Sequence, residues 1–438
     1  MPASPGLRVA VRALRSRNYR LFFTGQSISL IGTWMTRIAT SWLVYRLTGS
    51  AFLLGAVTFA GQIPAFFLAP IAGVWIDRWD RHRTLVWTQA LSMIQSFALA
   101  GLTLSGRINI ASLIALALMQ GLINAFDMPA RQAFVVEMIA DRGDLSNAIA
   151  LNSSMVNGAR LVGPAIGGLV IAAVGEGYCF LIDGISYIAV IISLLAMNVR
   201  PYHHRQERKH VLVELHEGWR YVTGSKPIRS ILGLLALVSL IGMPYQVLMP
   251  IMAGAVLHGG PHTLGFLMGA SGVGALISAI SLAVRRTVLG LGRMIAIASG
   301  LFGAGLIGFG FSRDVWISLS LMLFTGFGMM QQMAASNTIL QTIVEDDKRG
   351  RVMSFYTLSI LGIAPIGSLI AGTLAAKIGA PATLIAGGAA VLAGSAWFAI
   401  RLPELRRHVR PIYAQLGIIP EVASGMQSAS ALQTPPEA

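Results

Sequence analysis

The chain has 438 residues, of which 55% are hydrophobic and only 12% charged, with a mean hydropathy of +0.68. A soluble chain of this length needs roughly twice that charged fraction to cover its surface, so the composition excludes an ordinary soluble protein and points to lipid as the solvent. The net charge of +15 would suit a nucleic-acid binder, but the basic residues lie between apolar stretches and not in one patch, so no nucleic-acid partner is expected.

In chain order, a basic N-terminal arm (1–19) carries Arg8, Arg12, Arg15 and Arg17, and Arg20 follows it. The apolar run from Leu21 to Leu47 is too long for the h-region of a signal peptide and reads as a first membrane helix. Runs long enough to cross a bilayer, which takes about 20 apolar residues, fall near 20–47, 51–75, 84–105, 108–130, 146–174 and 178–198. A second set falls near 228–256, 263–284, 293–312, 315–340, 352–377 and 380–402. The expected fold class is therefore an all-α membrane protein with twelve transmembrane helices in two pseudo-symmetric six-helix bundles, 20–198 and 228–402. Between them, the 199–227 linker places Leu212, Leu215, Trp219 and Val222 at helical spacing, which predicts an amphipathic helix at the membrane surface. The end, 403–438, turns polar and is expected to be a disordered cytoplasmic tail.

Charge sets the orientation. Twenty-seven of the 33 Lys and Arg residues fall on the arm, the even-numbered loops, the central loop and the tail. Four (Arg46, Arg107, Arg313, Lys377) fall on the other side, and Arg37 and Arg160 lie inside helices. By the positive-inside rule both termini and the central loop face the cytoplasm. The halves also repeat: VGPAIGGLVIAAVG, 162–175, aligns without gaps to IGSLIAGTLAAKIG, 366–379, at an offset of 204 residues.

The loop GVWIDRWDRHR, 73–83, resembles the signature of the major facilitator superfamily: Gly73, Asp77, Arg78 and Arg81 match, and Asp80 stands where the family has its second glycine. GTWMTRIATSWLVYRLTGSA (32–51), NAFDMPARQAFVVEM (124–138) and RGRVMSFY (349–356) resemble more narrowly the enterobactin-exporter or transmembrane secretion effector branch. The resemblance implies export of siderophores or drugs, driven by proton entry. It also implies a cytoplasmic gate in which Asp127 forms an ion-pair latch with Arg78 or Arg81, with Arg131 nearby. Gly163, Pro164, Gly167 and Gly168 reproduce the helix-packing motif that the family associates with exporters. Where many proton-coupled members carry an arginine three residues before a Gln-Gly pair, this chain has Ala117 before Gln120 and Gly121.

Polar residues within spans must face something other than lipid. Thr33 and Arg37 lie on one stripe, Asn157 and Arg160 on another, and Gln120 and Asn124 on a third that ends at Asp127; Thr33, Arg37, Gln120, Asn124, Asn157 and Arg160, with Tyr245 and Gln332, are the candidates for a substrate cavity. Asp183 and Asp127 are the proton-coupling candidates. The eight histidines make no metal-ligand pattern and no phosphate-binding loop is present, so neither metal, cofactor nor enzymatic activity is expected. Cys179 is the lone cysteine, so no intramolecular disulfide can form. The expected protein is a monomeric proton antiporter of the bacterial inner membrane. An uncoupled facilitator or importer, or a lipid translocase on the same scaffold, stands as the alternative.

Overall fold

The computed structural model describes residues 12–76, 78–139, 141–199, 211–285 and 287–418. Asp77, part of the expected gate, lies outside them, as do Arg8, Arg286, residues 200–210 and 419–438. The first six long helices are α1 (Arg17–Thr48), α2 (Ala51–Ile76), α3 (Arg81–Leu104), α4 (Ile110–Met138), α5 (Leu145–Val174) and α6 (Glu176–Leu195). The linker helix α7 (Val211–Gly224) follows. The remainder comprises α8 (Lys226–Val256), α9 (Pro261–Ala283), α10 (Leu291–Phe311), α11 (Val315–Ile343), α12 (Asp346–Ile378) and α13 (Ala380–Gln415). π-turns interrupt α8 at Val238–Gly242 and Met252–Val256, and α12 at Leu358–Gly362.

Among the described residues ten helices are long and apolar enough to cross a membrane, against the twelve expected. The two that fall short, α1 and α11, are diluted by polar stripes. On α1 these are Ser29, Thr33, Thr36, Arg37 and Thr40; on α11 they are Thr325, Gln331, Gln332, Ser336 and Asn337. Their residues still bury: Ser29, Gln332 and Ser336 are wholly shielded.

Two boundaries differ from the sequence reading. The fourth span does not stop near 130; α4 continues to Met138 through Pro129, because Phe134, Val135 and Met138 find a buried apolar neighbourhood. Arg131 and Glu137 therefore stand on a helix and not in a loop. At the other end, the expected disordered tail begins as helix: α13 runs through Pro403 and Pro411 to Gln415, with Leu405 buried and Glu404 held by Lys226 at 2.7 Å. The basic arm is docked as well. Ser16 donates to the Met138 carbonyl (2.6 Å), and Tyr19 to that of Ala148 (2.8 Å).

The linker helix sits on α12. Glu217 pairs with Arg351 at 2.8 Å, and Trp219 meets Phe355 with ring centroids 6.1 Å apart. Trp219, expected on the membrane-facing stripe, is thus partly engaged by protein.

The joint between the first six helices and the last six includes two close backbone contacts at glycine. At Gly168, a Cβ would lie 2.6 Å from the Pro261 oxygen and 2.9 Å from Gly265 Cα; at Gly372, one would lie 2.6 Å from the Ala51 oxygen and 3.0 Å from Gly55 Cα. Gly168 and Gly372 are the residues that the 204-residue offset superimposes, so α5 on α9 and α12 on α2 repeat one contact. The offset recurs at Gly175 (φ 93°) and Gly379 (φ 86°), each in a turn that an L side chain would strain. Among the described residues, no hydrogen bond or ion pair links residues up to 199 with those from 211 on.

Gly372→Leu is expected to overpack this joint at about 1–3 kcal/mol and lower the thermal midpoint of the purified protein. Gly101→Leu, at a position with nothing within 4 Å of the added carbon, should leave the midpoint unchanged. Equal midpoints for both variants would mean that the joint contributes nothing.

Candidate functional site

A cavity of about 240 Å³ is bounded mainly by α1, α2, α3, α4 and α6, with Gln246 and Val247 of α8 and Met268 of α9 on one side. The polar stripe of α1 supplies Thr33, Thr36, Arg37 and Thr40. Their spacing of three and four residues puts them on one face of a helix whose other face packs on α5. Gln62, Gln95 and Gln120 contribute amides from α2, α3 and α4, and Leu54, Val57, Leu99 and Leu113 an apolar wall.

Asp183, on α6, is buried at the edge of this cavity. Its Oδ2 accepts hydrogen bonds from Thr36 and from Ser96, both at 2.9 Å, while Oδ1 is buried without a partner. Gly32 makes the arrangement possible: a Cβ there would lie 2.8 Å from Asp183 Oδ1. One turn on, Tyr187 approaches Thr33 at 3.5 Å between hydroxyls.

Two arginines share one indole. The Arg37 guanidinium carbon stands 4.7 Å from the Trp34 ring centroid and that of Arg160 stands 5.8 Å from it, within cation–π range. Arg160 reaches there because Gly163 and Gly167 bring α5 against α1. Added carbons at those glycines would lie 2.5 Å from Trp34 Cβ and 3.1 Å from Met35 Cα. The Gly163–Gly168 motif is thus spent on close helix approach on two sides, α1 and α9.

Of the residues singled out from sequence, Thr33, Arg37, Gln120 and Asp183 line the cavity, and Arg160 stands next to it through Trp34. Asn124 is a turn away from the cavity, accepting from Gln120 at 3.1 Å. Asn157 bonds to the Ser153 carbonyl on its own helix. Tyr245 does not line the cavity; it is buried, bonded to Ser271 at 2.9 Å and packed edge-on against Phe302, while its neighbour Gln246 points inward. Gln332 is buried away from the cavity with both amide atoms unpartnered. Trp34, Gln62, Gln95, Tyr187 and Gln246 escaped the sequence reading. The three glutamines carried the signal of lone amides in apolar spans, whereas the two rings carried none.

The expected latch has other partners. Asp127 is buried and accepts from Thr88 (2.8 Å), Gln89 (2.7 Å) and Arg131, one turn along α4. Arg81 pairs with Glu137 at 2.8 Å, and Arg78 is exposed. Asp127 therefore holds neither Arg78 nor Arg81. The extension of α4 past Pro129 is the cause, because it brings Arg131 and Glu137 within reach first. Gly73 lies in α2.

The chain is all-α and multi-span, its cavity sets hydroxyl, amide and guanidinium groups against an apolar wall, and the family it matches makes it a membrane transporter of the major facilitator superfamily. Residues 9–415 match the transmembrane secretion effector family, and the chain belongs to it. It is 27% identical over 354 residues to the staphyloferrin A transporter of Staphylococcus aureus, covering 80% of this chain and 88% of the relative. It is 29% identical over 392 residues to the multidrug efflux pump Tap of Mycobacterium tuberculosis, covering 86% and 91%. The fold is that of the nucleoside transporter NupG, with a TM-score of 0.72 at 12% identity over 88% of this chain and 99% of the other. The protein is accordingly a secondary transporter and a multi-pass protein of the bacterial inner membrane, not an enzyme.

Asp127→Ala would strand Arg131 and two further donors in a buried site, a loss of about 3–5 kcal/mol. The variant should unfold at distinctly lower temperature than the wild type, and Asp127→Asn should fall between them. An unchanged midpoint in Asp127→Ala would show that this hub is not structural.

Proposed function

We propose that this protein exports small organic molecules of the siderophore or drug class from the bacterial cytoplasm, by alternating access coupled to proton entry. The observation that carries the reading is Asp183: a buried carboxyl on the cavity wall, held by Thr36 and Ser96 through one oxygen and leaving the other unused. Ionised, it only accepts hydrogen bonds; protonated, it becomes a donor as well. A proton there changes what holds α1, the helix that also carries Thr33 and Arg37 into the cavity. Asp127, with three partners already, is the weaker candidate for this step. The two relatives, one a transporter of staphyloferrin A and the other a multidrug efflux pump, support the substrate class.

The reading takes α1 and α11 as spans too. At 32 and 29 residues and about 1.5 Å per residue, each exceeds the roughly 30 Å hydrocarbon core, and their polar stripes face the cavity or neighbouring helices. That makes twelve spans in two six-helix bundles, 20–198 and 228–402, joined by the 199–227 linker. With both termini and the linker cytoplasmic, as the distribution of Lys and Arg supports, the glycine joints lie toward the outer ends of their helices. The cavity then opens inward, the state in which an exporter loads. It lies within one chain, so a monomer suffices. Gly73, Asp77, Arg78 and Arg81 remain the gate expected to engage when the inner side closes.

In proteoliposomes, Asp183→Asn should abolish substrate-driven proton movement while leaving equilibrium binding largely intact. Full proton-coupled efflux by that variant would remove Asp183 from the mechanism, and wild-type efflux without proton movement would favour uncoupled facilitation. For orientation, single cysteines at 206 and 260 in a Cys179→Ser background should label from outside intact cells only at 260. The reverse pattern would invert the topology.

A further inference from the structure

In the helices of the first half, Arg46, Arg81, Arg83 and Arg131 each hold a carboxylate, from Glu176, Glu137, Asp80 and Asp127. Arg37 and Arg160 hold none: among the described residues neither makes an ion pair or a hydrogen bond, and the group each meets is the face of Trp34. Both stand near the middle of their helices, where an unpaired cation is most costly. Asp183, the only acidic residue on the cavity wall among the described residues, is turned to the hydroxyls of Thr36 and Ser96.

Resting on the reading of this cavity as the transport site, we infer that it selects organic oxyanions: an apolar or aromatic body bearing a carboxylate or phosphate ester, seated between Arg37 and Arg160. A planar guanidinium matches such groups with two parallel hydrogen bonds. The Trp34 indole offers a stacking face beside them, and the wall of Leu54, Val57, Leu99 and Leu113 takes the body. The same two charges repel organic cations, so the cavity discriminates by sign as well as by shape. An inorganic anion would leave the apolar wall unused.

The test uses the full chain in nanodiscs and two dyes on one xanthene frame, fluorescein (a carboxylate) and rhodamine 6G (a cation), with binding read by fluorescence anisotropy. Fluorescein should bind more tightly than rhodamine 6G. Arg37→Gln and Arg160→Gln should each weaken fluorescein about tenfold or more, the loss expected for a charge-assisted bond, and each should strengthen rhodamine 6G. Lysine at either position should restore part of the fluorescein affinity. Should one glutamine variant fail to fold, the other and its lysine counterpart carry the comparison. Competition by benzoate but not benzamide identifies the carboxylate; competition by phenyl phosphate in place of benzoate identifies the phosphate ester. Tighter binding of rhodamine 6G by the wild type, or unchanged fluorescein affinity in the glutamine variants, would overturn the inference. No gradient is applied, so failed vesicle efflux with intact, arginine-dependent binding would count against the export reading alone.

Discussion

Two sets of six long helices meet in this protein without a hydrogen bond or ion pair between them among the described residues; apolar side chains and close backbone approach at glycine join them. Gly168 against Gly265 and Gly372 against Gly55 leave no room for a side chain. Such a contact rests on dispersion alone, with no polar group left unsatisfied when it parts. A joint of polar bonds buried in lipid would resist opening, because each broken bond would strand a donor or an acceptor.

The polar groups are handled the opposite way. Within the first half several carboxylates and helix-borne arginines are tied into local pairs: Asp127 to Arg131, Glu137 to Arg81, Glu176 to Arg46. These bonds stay inside one set of helices and none of them crosses the joint. Near the middle of these helices Arg37, Arg160 and one oxygen of Asp183 are left less than fully matched, at or beside the cavity. Matching what is structural and leaving the site unmatched is what a ligand needs if it is to supply the missing partner.

Much of the architecture was legible in the chain itself. Apolar runs of sufficient length, the alternation of basic and nearly uncharged loops, and the 204-residue repeat depend on composition and spacing, and a bilayer translates those almost directly into helices. The repeat proved informative beyond its length, since Gly168 and Gly372, matched in sequence, make matching contacts. The polar stripe of α1 was readable for the same reason: a helix fixes which residues share a face, and lipid excludes polar ones.

Partners across helices were not readable. Whether Asp127 would hold Arg81 or Arg131 depended on α4 continuing past Pro129, which the buried Phe134, Val135 and Met138 decide through contacts made elsewhere in the chain. Tyr245 and Gln246 are adjacent, and only the rotation of α8 against its neighbours sends the first to Ser271 and the second into the cavity. The convergence of Arg37 and Arg160 on Trp34 joins residues 123 positions apart in the sequence through the glycine contact of α5 on α1. Sequence alone determined that these helices exist and which face of each is polar, because both follow from local geometry and the solvent. Tertiary packing decided which polar faces meet, because that depends on how closely each pair of helices can approach.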